Sequence, residues 1–228
     1  MEEINQRYVN PAIARFNMIM ANEATAIMGR ATGKTYGLHG ERAWAVATEM
    51  PRSLNGLVSE SFRKLLMYLL PPIIKFFTSK GLVKNEHFFI RGTAPKAWDW
   101  PLPYNEVMDY SYFVHLPTGA GMIILSQDHN TTNNGASLDH LQIDEVNKLD
   151  KKRLDEDFPA MRGNLNYFHD SPLYAGALYT TDMPMLDEEL WVLDHKTTQT
   201  FEKNEAIFQL AQCMAWAYMK WVQSDFKS

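Results

Sequence analysis

The chain has 228 residues, of which 46% are hydrophobic and 21% charged, and its formal net charge is -5. This length suffices for one large domain, alone or with a small appendage, and the hydrophobic content excludes an intrinsically disordered chain. The negative net charge excludes a protein that binds nucleic acid through a generally basic surface, although it permits a locally basic groove. The single cysteine, Cys213, excludes an intrachain disulfide and fits a reducing compartment.

The N-terminal segment MEEINQRYVNPAIARF lacks the positive start and the apolar stretch of a secretory signal. The most hydrophobic run, residues 65–74, is interrupted by Pro71 and Pro72. It is far shorter than the roughly 20 residues that span a bilayer. We therefore expect a cytoplasmic protein without a membrane span.

Strands that alternate with helices are predicted in the first part of the chain. Residues 23–28 (EATAIM) are typical of a buried strand, and a glycine-containing turn leads from them into a helix over residues 34–48. A second strand is predicted at residues 54–60. Residues 61–70 have a helical apolar face, and we expect the following proline pair to break or kink that helix.

From residue 87 the pattern is mostly that of strands. EHFFIRG is one predicted strand, and residues 110–126 predict a hairpin around a Pro-Thr-Gly turn. LDHLQIDEV and LYAGALYTT are further predicted strands, and a helix is expected between them at residues 155–161.

The C-terminal tail differs from the rest, because residues 201–222 contain no glycine or proline and predict one long helix. Strands that alternate with helices along a chain are typical of an α/β fold. The sequence therefore predicts a mainly parallel sheet flanked by helices.

The strongest chemical signal is the turn GRATGKT, which lies between the first predicted strand and its helix. Backbone N–H groups of such a turn, together with the positive end of the helix, hold phosphate oxygens. The usual pattern GxxxxGK[ST] has glycine where this chain has Met28, and an ordinary glycine-rich turn is the alternative interpretation. Lys34 would contact the terminal phosphates and Thr35 would bind Mg²⁺. The predicted phosphate-loop residues are Gly29, Arg30, Ala31, Thr32, Gly33, Lys34 and Thr35.

A second signal is the strand LQIDE, which ends in two adjacent carboxylates. In nucleotide hydrolases with this arrangement, the aspartate, here Asp144, holds the Mg²⁺ shell. The glutamate, here Glu145, orients and deprotonates the attacking water. A solvated acidic turn is the alternative for this motif alone. The phosphate loop and the acidic pair, in this order, predict ATP hydrolysis.

These motifs resemble the large terminase subunit of tailed bacteriophages, the ATPase motor that packages DNA into the capsid. The resemblance includes Arg30 before GK[ST] and extends to MIILSQD, NTTNNGASLDHLQIDE, FPAMRG and ALYTTDMP. It implies a P-loop NTPase fold of the RecA/ASCE kind with ATP and Mg²⁺ as cofactors. It also implies that Arg30 contacts the γ-phosphate and that Thr180 and Thr181 couple hydrolysis to movement.

The same resemblance implies double-stranded DNA, a portal protein and a terminase small subunit as partners. It implies a ring-shaped homo-oligomer when active, with a monomer as the alternative for the isolated chain, in the host cytoplasm and transiently at the procapsid portal. Family members normally continue into a nuclease domain, in the same chain or as a separate partner, and nothing in this sequence supplies it. Residues 1–185 are therefore expected to form the ATPase core and residues 186–228 a helical lid or linker.

Several further residues are candidates for supporting roles. Gln6 and Tyr8 lie where such motors place an adenine-contacting element. Asn134 replaces an arginine that many terminases carry before the Asp-Glu strand, so Arg162 and Arg91 become the candidates for an arginine given to a neighbouring subunit.

Three other functions remain as alternatives. Asp194 and Lys196 imitate the D-x-K element of metal-dependent nucleases, although Tyr179 stands where that chemistry needs a carboxylate. A helicase-like DNA translocase and a non-catalytic nucleotide-binding module are the other two.

A group of basic residues has two equally supported interpretations. They form either a basic strip that faces DNA or an ordinary solvated helix face. The residues are Arg63, Lys64, Lys75, Lys80 and Lys84.

The loop that contains Trp98, Trp100 and Tyr104 is rich in aromatic residues and proline. Such rings stack on nucleic-acid bases in some proteins and pack over a sheet edge in others. We expect packing over the sheet edge.

Overall fold

The structure is a computed structural model that describes residues 10–105, 107–127, 137–152, 154, 161, 163–194 and 201–225. The chain divides into a larger compact unit, residues 21–194, and a smaller one made of residues 1–20 and 195–228. The boundary expected after residue 185 stays a prediction. Within the described ranges, no helix is both long and apolar enough to cross a bilayer.

The regular elements follow the alternation predicted from the sequence. The strands are β1 Glu23–Ile27, β2 Leu54–Ser59, β3 Phe89–Ile90, β4 Phe113–His115, β5 Gly121–Ser126, β6 His140–Asp144 and β7 Gly176–Thr181. The α-helices are α1 Pro11–Ile19, α2 Gly40–Glu49, α3 Phe62–Lys64, α4 Leu70–Ser79, α5 Leu165–Phe168 and α6 Phe201–Asp225. Two π-helical turns cover Thr35–His39 and Leu65–Leu69, and 3₁₀ segments cover Lys96–Trp98, Tyr110–Tyr112, Val146–Lys148 and Asp187–Asp194.

One seven-stranded sheet has the order β1-β7-β6-β2-β5-β4-β3. The neighbours from β1 to β5 in this order are parallel, whereas β4 pairs antiparallel with both β5 and β3. The predicted mainly parallel sheet and the predicted hairpin are both confirmed. All five parallel strands end at the same edge of the sheet, the edge at which α/β proteins bind ligands.

The helical path continues through the proline pair, but the regular α-helical pattern is interrupted just before it. It runs from α3 through the π turn Leu65–Leu69 into α4, and Pro71 and Pro72 lie in the first turn of α4. Proline has no N–H to donate, so a regular α-helical hydrogen-bond pattern cannot run unbroken through this pair. The helix expected at residues 155–161 lies outside the described residues apart from Met161.

Apolar side chains cover both faces of the sheet. On one face Leu57 packs with residues of α2 and α4, and on the other Val58 packs with Ile143 and Tyr179. The helices α2 and α4 approach closely at Gly40, where an added Cβ would lie 2.5 Å from Cγ of Phe76. This contact fixes the helix that follows the phosphate loop against its neighbour.

The aromatic loop packs at the edge of the sheet, as expected. The rings of Trp98 and Trp100 each lie with their centroids 5.5 Å from that of Phe89 in β3. Tyr104 instead stacks on Tyr167, with the ring centroids 3.8 Å apart.

The smaller unit is built from α1 and α6, so the predicted long C-terminal helix is confirmed. Asn10 caps α1 by accepting a hydrogen bond of 2.9 Å from the N–H of Ala12. Arg15 of α1 pairs with Glu205 of α6 and lies 4.4 Å from the ring centroid of Phe208. Cys213 on α6 is exposed.

Candidate nucleotide-binding site

The phosphate loop connects β1 to the π turn at the edge where the parallel strands end. Ala31 and Gly33 have φ values of 59° and 86°, so the chain turns twice through the left-handed region. Gly37 then donates a backbone hydrogen bond of 2.7 Å to the carbonyl of Gly33, which begins the helix. Met28 has no positive φ, so the missing glycine of the usual pattern is not required by the backbone here.

Lys34 points back across the loop. Its Nζ donates to the carbonyl oxygens of Met28 at 2.6 Å and Thr181 at 3.2 Å, and it forms an ion pair with Asp182. Arg30 donates from Nε to the other oxygen of Asp182 at 2.9 Å. One carboxylate therefore forms ion pairs with both cationic side chains of the loop.

Asp182 was not singled out from the sequence, although it belongs to the segment ALYTTDMP. Burial raises the pKa of its carboxyl, but the hydrogen bonds from Lys34 and Arg30 outweigh burial and leave that pKa lowered. An ionised carboxylate at this position provides the negative charge that a phosphate would bring to the same two cations. A carboxylate directly after a strand end was the available sequence signal.

The acidic pair lies at the end of β6, two strands from β1. Asp144 pairs in register with Thr180 of β7, whose hydroxyl donates to its carboxylate at 2.6 Å. Burial raises the pKa of Asp144, but the neighbouring His39 ring and the Thr180 hydroxyl outweigh it and leave the pKa lowered. Asp144 is therefore ionised at neutral pH.

Glu145 follows Asp144 in a left-handed conformation with φ of 53°. Left-handed backbone is uncommon for residues other than glycine and clusters at functional sites. Its carboxylate lies 3.2 Å from Nζ of Lys64, which also pairs with Glu60. The structure thus places a member of the predicted basic strip on the predicted catalytic carboxylate.

The predicted coupling residues direct their hydroxyls toward the end of β6. Both side chains are buried, and Thr181 donates to the amide oxygen of Asn147. Asn147 donates in turn to Glu189 at 3.1 Å, and Glu189 pairs with Lys148. These contacts connect the end of β7 to the 3₁₀ segment Asp187–Asp194.

His39 is a buried member of the site that no pattern in the sequence singles out. It ends the π turn Thr35–His39, and its Nε2 lies 2.7 Å from the hydroxyl oxygen of Thr180. Its Nδ1 lies 3.1 Å from the amide oxygen of Gln142, and its Nε2 lies 3.7 Å from the nearer oxygen of Asp144.

A magnesium ion fits the oxygen donors at this edge. Mg²⁺ in nucleotide sites is typically bound by one or two protein oxygens, phosphate oxygens and water. The hydroxyl of Thr35, at the start of the helix, and the ionised carboxylate of Asp144 provide such donors. Among the described residues there is no group of three or more His, Cys, Asp or Glu side chains suited to hold a metal alone.

Among the other residues that the sequence analysis considered, the structure describes Arg91, Asp194 and Tyr179. Arg91 is exposed at the end of β3, at the opposite edge of the sheet from β1. Asp194 ends a 3₁₀ segment, and Tyr179, where a nuclease would need a carboxylate, is buried in the core. Outside the described residues lie Gln6, Tyr8, Arg162 and Lys196.

Comparison with solved structures gives matches to phage proteins. The large terminase of a thermophilic bacteriophage matches with a TM-score of 0.58 and 9% identity over 83% of this chain. The large terminase ATPase domain of Thermus phage P74-26 matches with a TM-score of 0.52 and 16% identity, also over 83% of this chain. The fold is that of a large terminase ATPase domain.

The resemblance to large terminases is therefore confirmed at the level of the fold, as is the predicted α/β class. This chain spans 42% of the first of these terminases and 68% of the P74-26 domain. The first terminase in complex with ATP-γ-S also matches, with a TM-score of 0.50 and 8% identity over 73% of this chain and 36% of that one. No protein-family model and no curated protein matches the sequence.

Proposed function

We propose that this chain is the ATPase part of a phage DNA-packaging terminase, which hydrolyses ATP with Mg²⁺ to drive double-stranded DNA into a capsid. The observation that carries the proposal is the convergence of Lys34, Arg30, Asp144 and Glu145 at the edge where the parallel strands end. The fold shared with large terminases, one of them bound to ATP-γ-S, supports it.

In the proposed reaction, the loop N–H groups, Lys34 and Arg30 bind the phosphates and thereby displace Asp182. Thr35 and Asp144 would hold Mg²⁺, which neutralises phosphate charge when bound. Glu145 accepts a proton from water as the water oxygen bonds to the γ-phosphorus. The bond from that phosphorus to the bridging oxygen breaks, which leaves ADP and phosphate.

The wider assembly is proposed on the terminase resemblance. Thr180 and Thr181 would couple hydrolysis to movement, and Gln6 and Tyr8 would contact adenine. Portal protein, a small subunit and a nuclease domain would be partners of an active ring in the host cytoplasm. The arginine given to the neighbouring subunit in that ring would be Arg162 or Arg91.

Glutamate 145 provides the decisive test of the proposed hydrolysis. Glu145→Gln should lower kcat at least about 100-fold and leave the affinity for ATP-γ-S unchanged, because the amide cannot accept the proton of water. Single-turnover phosphate release and calorimetric titration measure these two quantities.

A matched control for this test is Glu49→Gln, the same change at an exposed position in the last turn of α2. It should behave as the wild type in both measurements. Wild-type turnover in Glu145→Gln would show that another group activates the water.

Lys34→Ala should weaken ATP-γ-S binding, because it removes the loop cation.

The alternatives give different results in the same preparation. Nucleotide binding without turnover, even with DNA and partner subunits present, would favour a non-catalytic module. Unwinding of a duplex would favour a helicase-like translocase. Mg²⁺- or Mn²⁺-dependent cleavage of plasmid DNA that is lost in Lys196→Ala would favour the nuclease.

A further inference from the structure

We propose that His39 is a positioning residue that holds the metal-binding carboxylate of Asp144 in place through the hydroxyl of Thr180. The inference rests on the proposed function, because it assigns a role around the Mg²⁺ site. It adds a residue that lies outside the phosphate loop and the acidic pair. Three elements meet in this contact: the helical turn that follows the loop, β6 and β7.

The direction of the hydrogen bonds follows from the atoms involved. A carboxylate can only accept, so the single hydroxyl proton of Thr180 is donated to Asp144 over 2.6 Å. The same hydroxyl oxygen, 2.7 Å from Nε2 of His39, must then accept, so Nε2 carries a proton. The order of donation is therefore His39 to Thr180 to Asp144.

Burial makes this chain of hydrogen bonds rigid. His39 and Thr180 have no exposed surface, and only 14% of the Asp144 side chain is exposed. Hydrogen-bond networks in such surroundings are strengthened by the low local dielectric constant. The other ring nitrogen of His39 lies 3.1 Å from the side-chain amide of Gln142, so a second buried polar group faces the ring.

The position of His39 in the chain links the phosphate loop to Asp144. The π turn that ends at His39 begins at Thr35, directly after Lys34. Single π turns inside helices occur frequently at functional sites. A shift of the loop on phosphate binding would therefore reach Asp144 through His39 as well as through the metal. Partners that orient a metal ligand typically change metal affinity or activity 10- to 100-fold when removed.

The test compares His39→Leu, which removes the donor, with His39→Gln, whose amide N–H₂ can still donate to Thr180. Mn²⁺ affinity of the ATP-γ-S complex is measured from the electron paramagnetic resonance of the free ion. We expect His39→Leu to weaken Mn²⁺ binding and to lower kcat, each by about 10-fold or more. ATP-γ-S affinity without metal should stay unchanged, and His39→Gln should recover most of both losses.

The matched control is His140→Leu, the same replacement of a fully buried histidine, here at the start of β6. It should leave Mn²⁺ affinity and kcat within about twofold of the wild type, since its Nδ1 contacts the Leu173 carbonyl rather than Asp144. All variants are measured below their unfolding transitions. If His39→Leu does not fold, Thr180→Val replaces it, because it removes only the hydroxyl, and the same losses are expected.

A second readout needs no metal or nucleotide. In urea unfolding of the metal-free chain, the midpoint shift of the double variant His39→Leu/Thr180→Val should be smaller than the sum of the two single shifts, because both remove the same contact. Additive shifts would overturn the hydrogen-bonded link.

The outcomes separate this inference from the proposed function. Wild-type hydrolysis combined with unchanged Mn²⁺ affinity in His39→Leu, or equal losses in His39→Leu and His39→Gln, would overturn only the positioning role. A wild-type chain that binds no nucleotide would overturn the proposed function and this inference with it.

Discussion

Asp182 is the residue that would most constrain how a nucleotide enters the proposed site. Its two oxygens bind Lys34 and Arg30, the two side-chain cations of the phosphate loop. An incoming phosphate must compete with this carboxylate for both. The Arg30 side chain is 92% exposed, so its ion pair is weak, whereas Lys34 is largely enclosed.

Asp182→Asn is expected to tighten ATP-γ-S binding by about fivefold, because removal of a competing ion pair of about 1 kcal/mol favours the phosphate. Calorimetric titration in the absence of metal measures the change. Asp170→Asn, at a highly exposed position, is the control and should have no effect. Weaker binding by Asp182→Asn would mean that the carboxylate assists the nucleotide instead.

The individual site residues differ in how far the sequence could predict them. Lys34, Thr35, Asp144 and Glu145 sit in local patterns, a turn between strand and helix and a strand with an acidic end. The contact of Lys34 with Asp182 joins residues 148 positions apart. It depends on β7 lying beside β1, and no local pattern contains that neighbour relation.

At the level of elements, the packing of α2 on α4 sets where the loop helix lies. Gly40 begins α2 and is in direct contact with the Phe76 ring of α4. Glycine inside a helix usually costs about 1 kcal/mol relative to alanine. Here the lack of a side chain permits the close approach.

Gly40→Ala is therefore expected to destabilise the chain by about 1 to 2 kcal/mol, because overpacking exceeds the gain in helix propensity. Urea unfolding gives the free energy of unfolding. Gly92→Ala is the matched control, since an added Cβ there has nothing within 4 Å. A stabilised Gly40→Ala variant would mean that α4 moves away at little cost.

The sequence predicts most elements but not the π turns that interrupt the helices. Apolar periodicity and flanking turn residues define β1, β2 and β6 locally, so these strands were found. A π turn has the same residue types as an α-helix, which is why the turns before α2 and α4 were missed. The proline pair itself predicts a break or kink, and the second π turn ends just before it.

Across the whole molecule, two buried titratable side chains, His140 and Glu189, make stability depend on pH. His140 is fully buried, and burial, assisted by the nearby Arg42 guanidinium, lowers its pKa to about 3. Hydrogen bonds, first from Lys148, lower the pKa of Glu189 to about 2. In both cases the folded chain binds protons less readily than the unfolded chain.

Stability should therefore fall as the pH falls, first below the ordinary histidine pKa of about 6.5 and further below the ordinary glutamate pKa of about 4.5. Between pH 6.5 and pH 5, His140 alone should account for about 1.5 kcal/mol of the lost free energy of unfolding. His140→Asn, which keeps a donor for the Leu173 carbonyl, should lack this part. Urea unfolding at pH 6.5 and pH 5 gives the free energy of unfolding that each protein loses. An equal loss in His140→Asn and the wild type would contradict the role of His140.

The exposed position of Cys213 on α6 allows the unmodified sequence to be labelled with a fluorescent dye. It is the one cysteine in the sequence, so a thiol-reactive dye would attach at a single, defined position on the smaller unit without any engineering. Time-resolved fluorescence anisotropy of that dye would distinguish a helix that tumbles with the larger unit from one that moves separately, because independent motion depolarises the emission faster. Repeating the measurement with ATP-γ-S present would show whether nucleotide changes that motion.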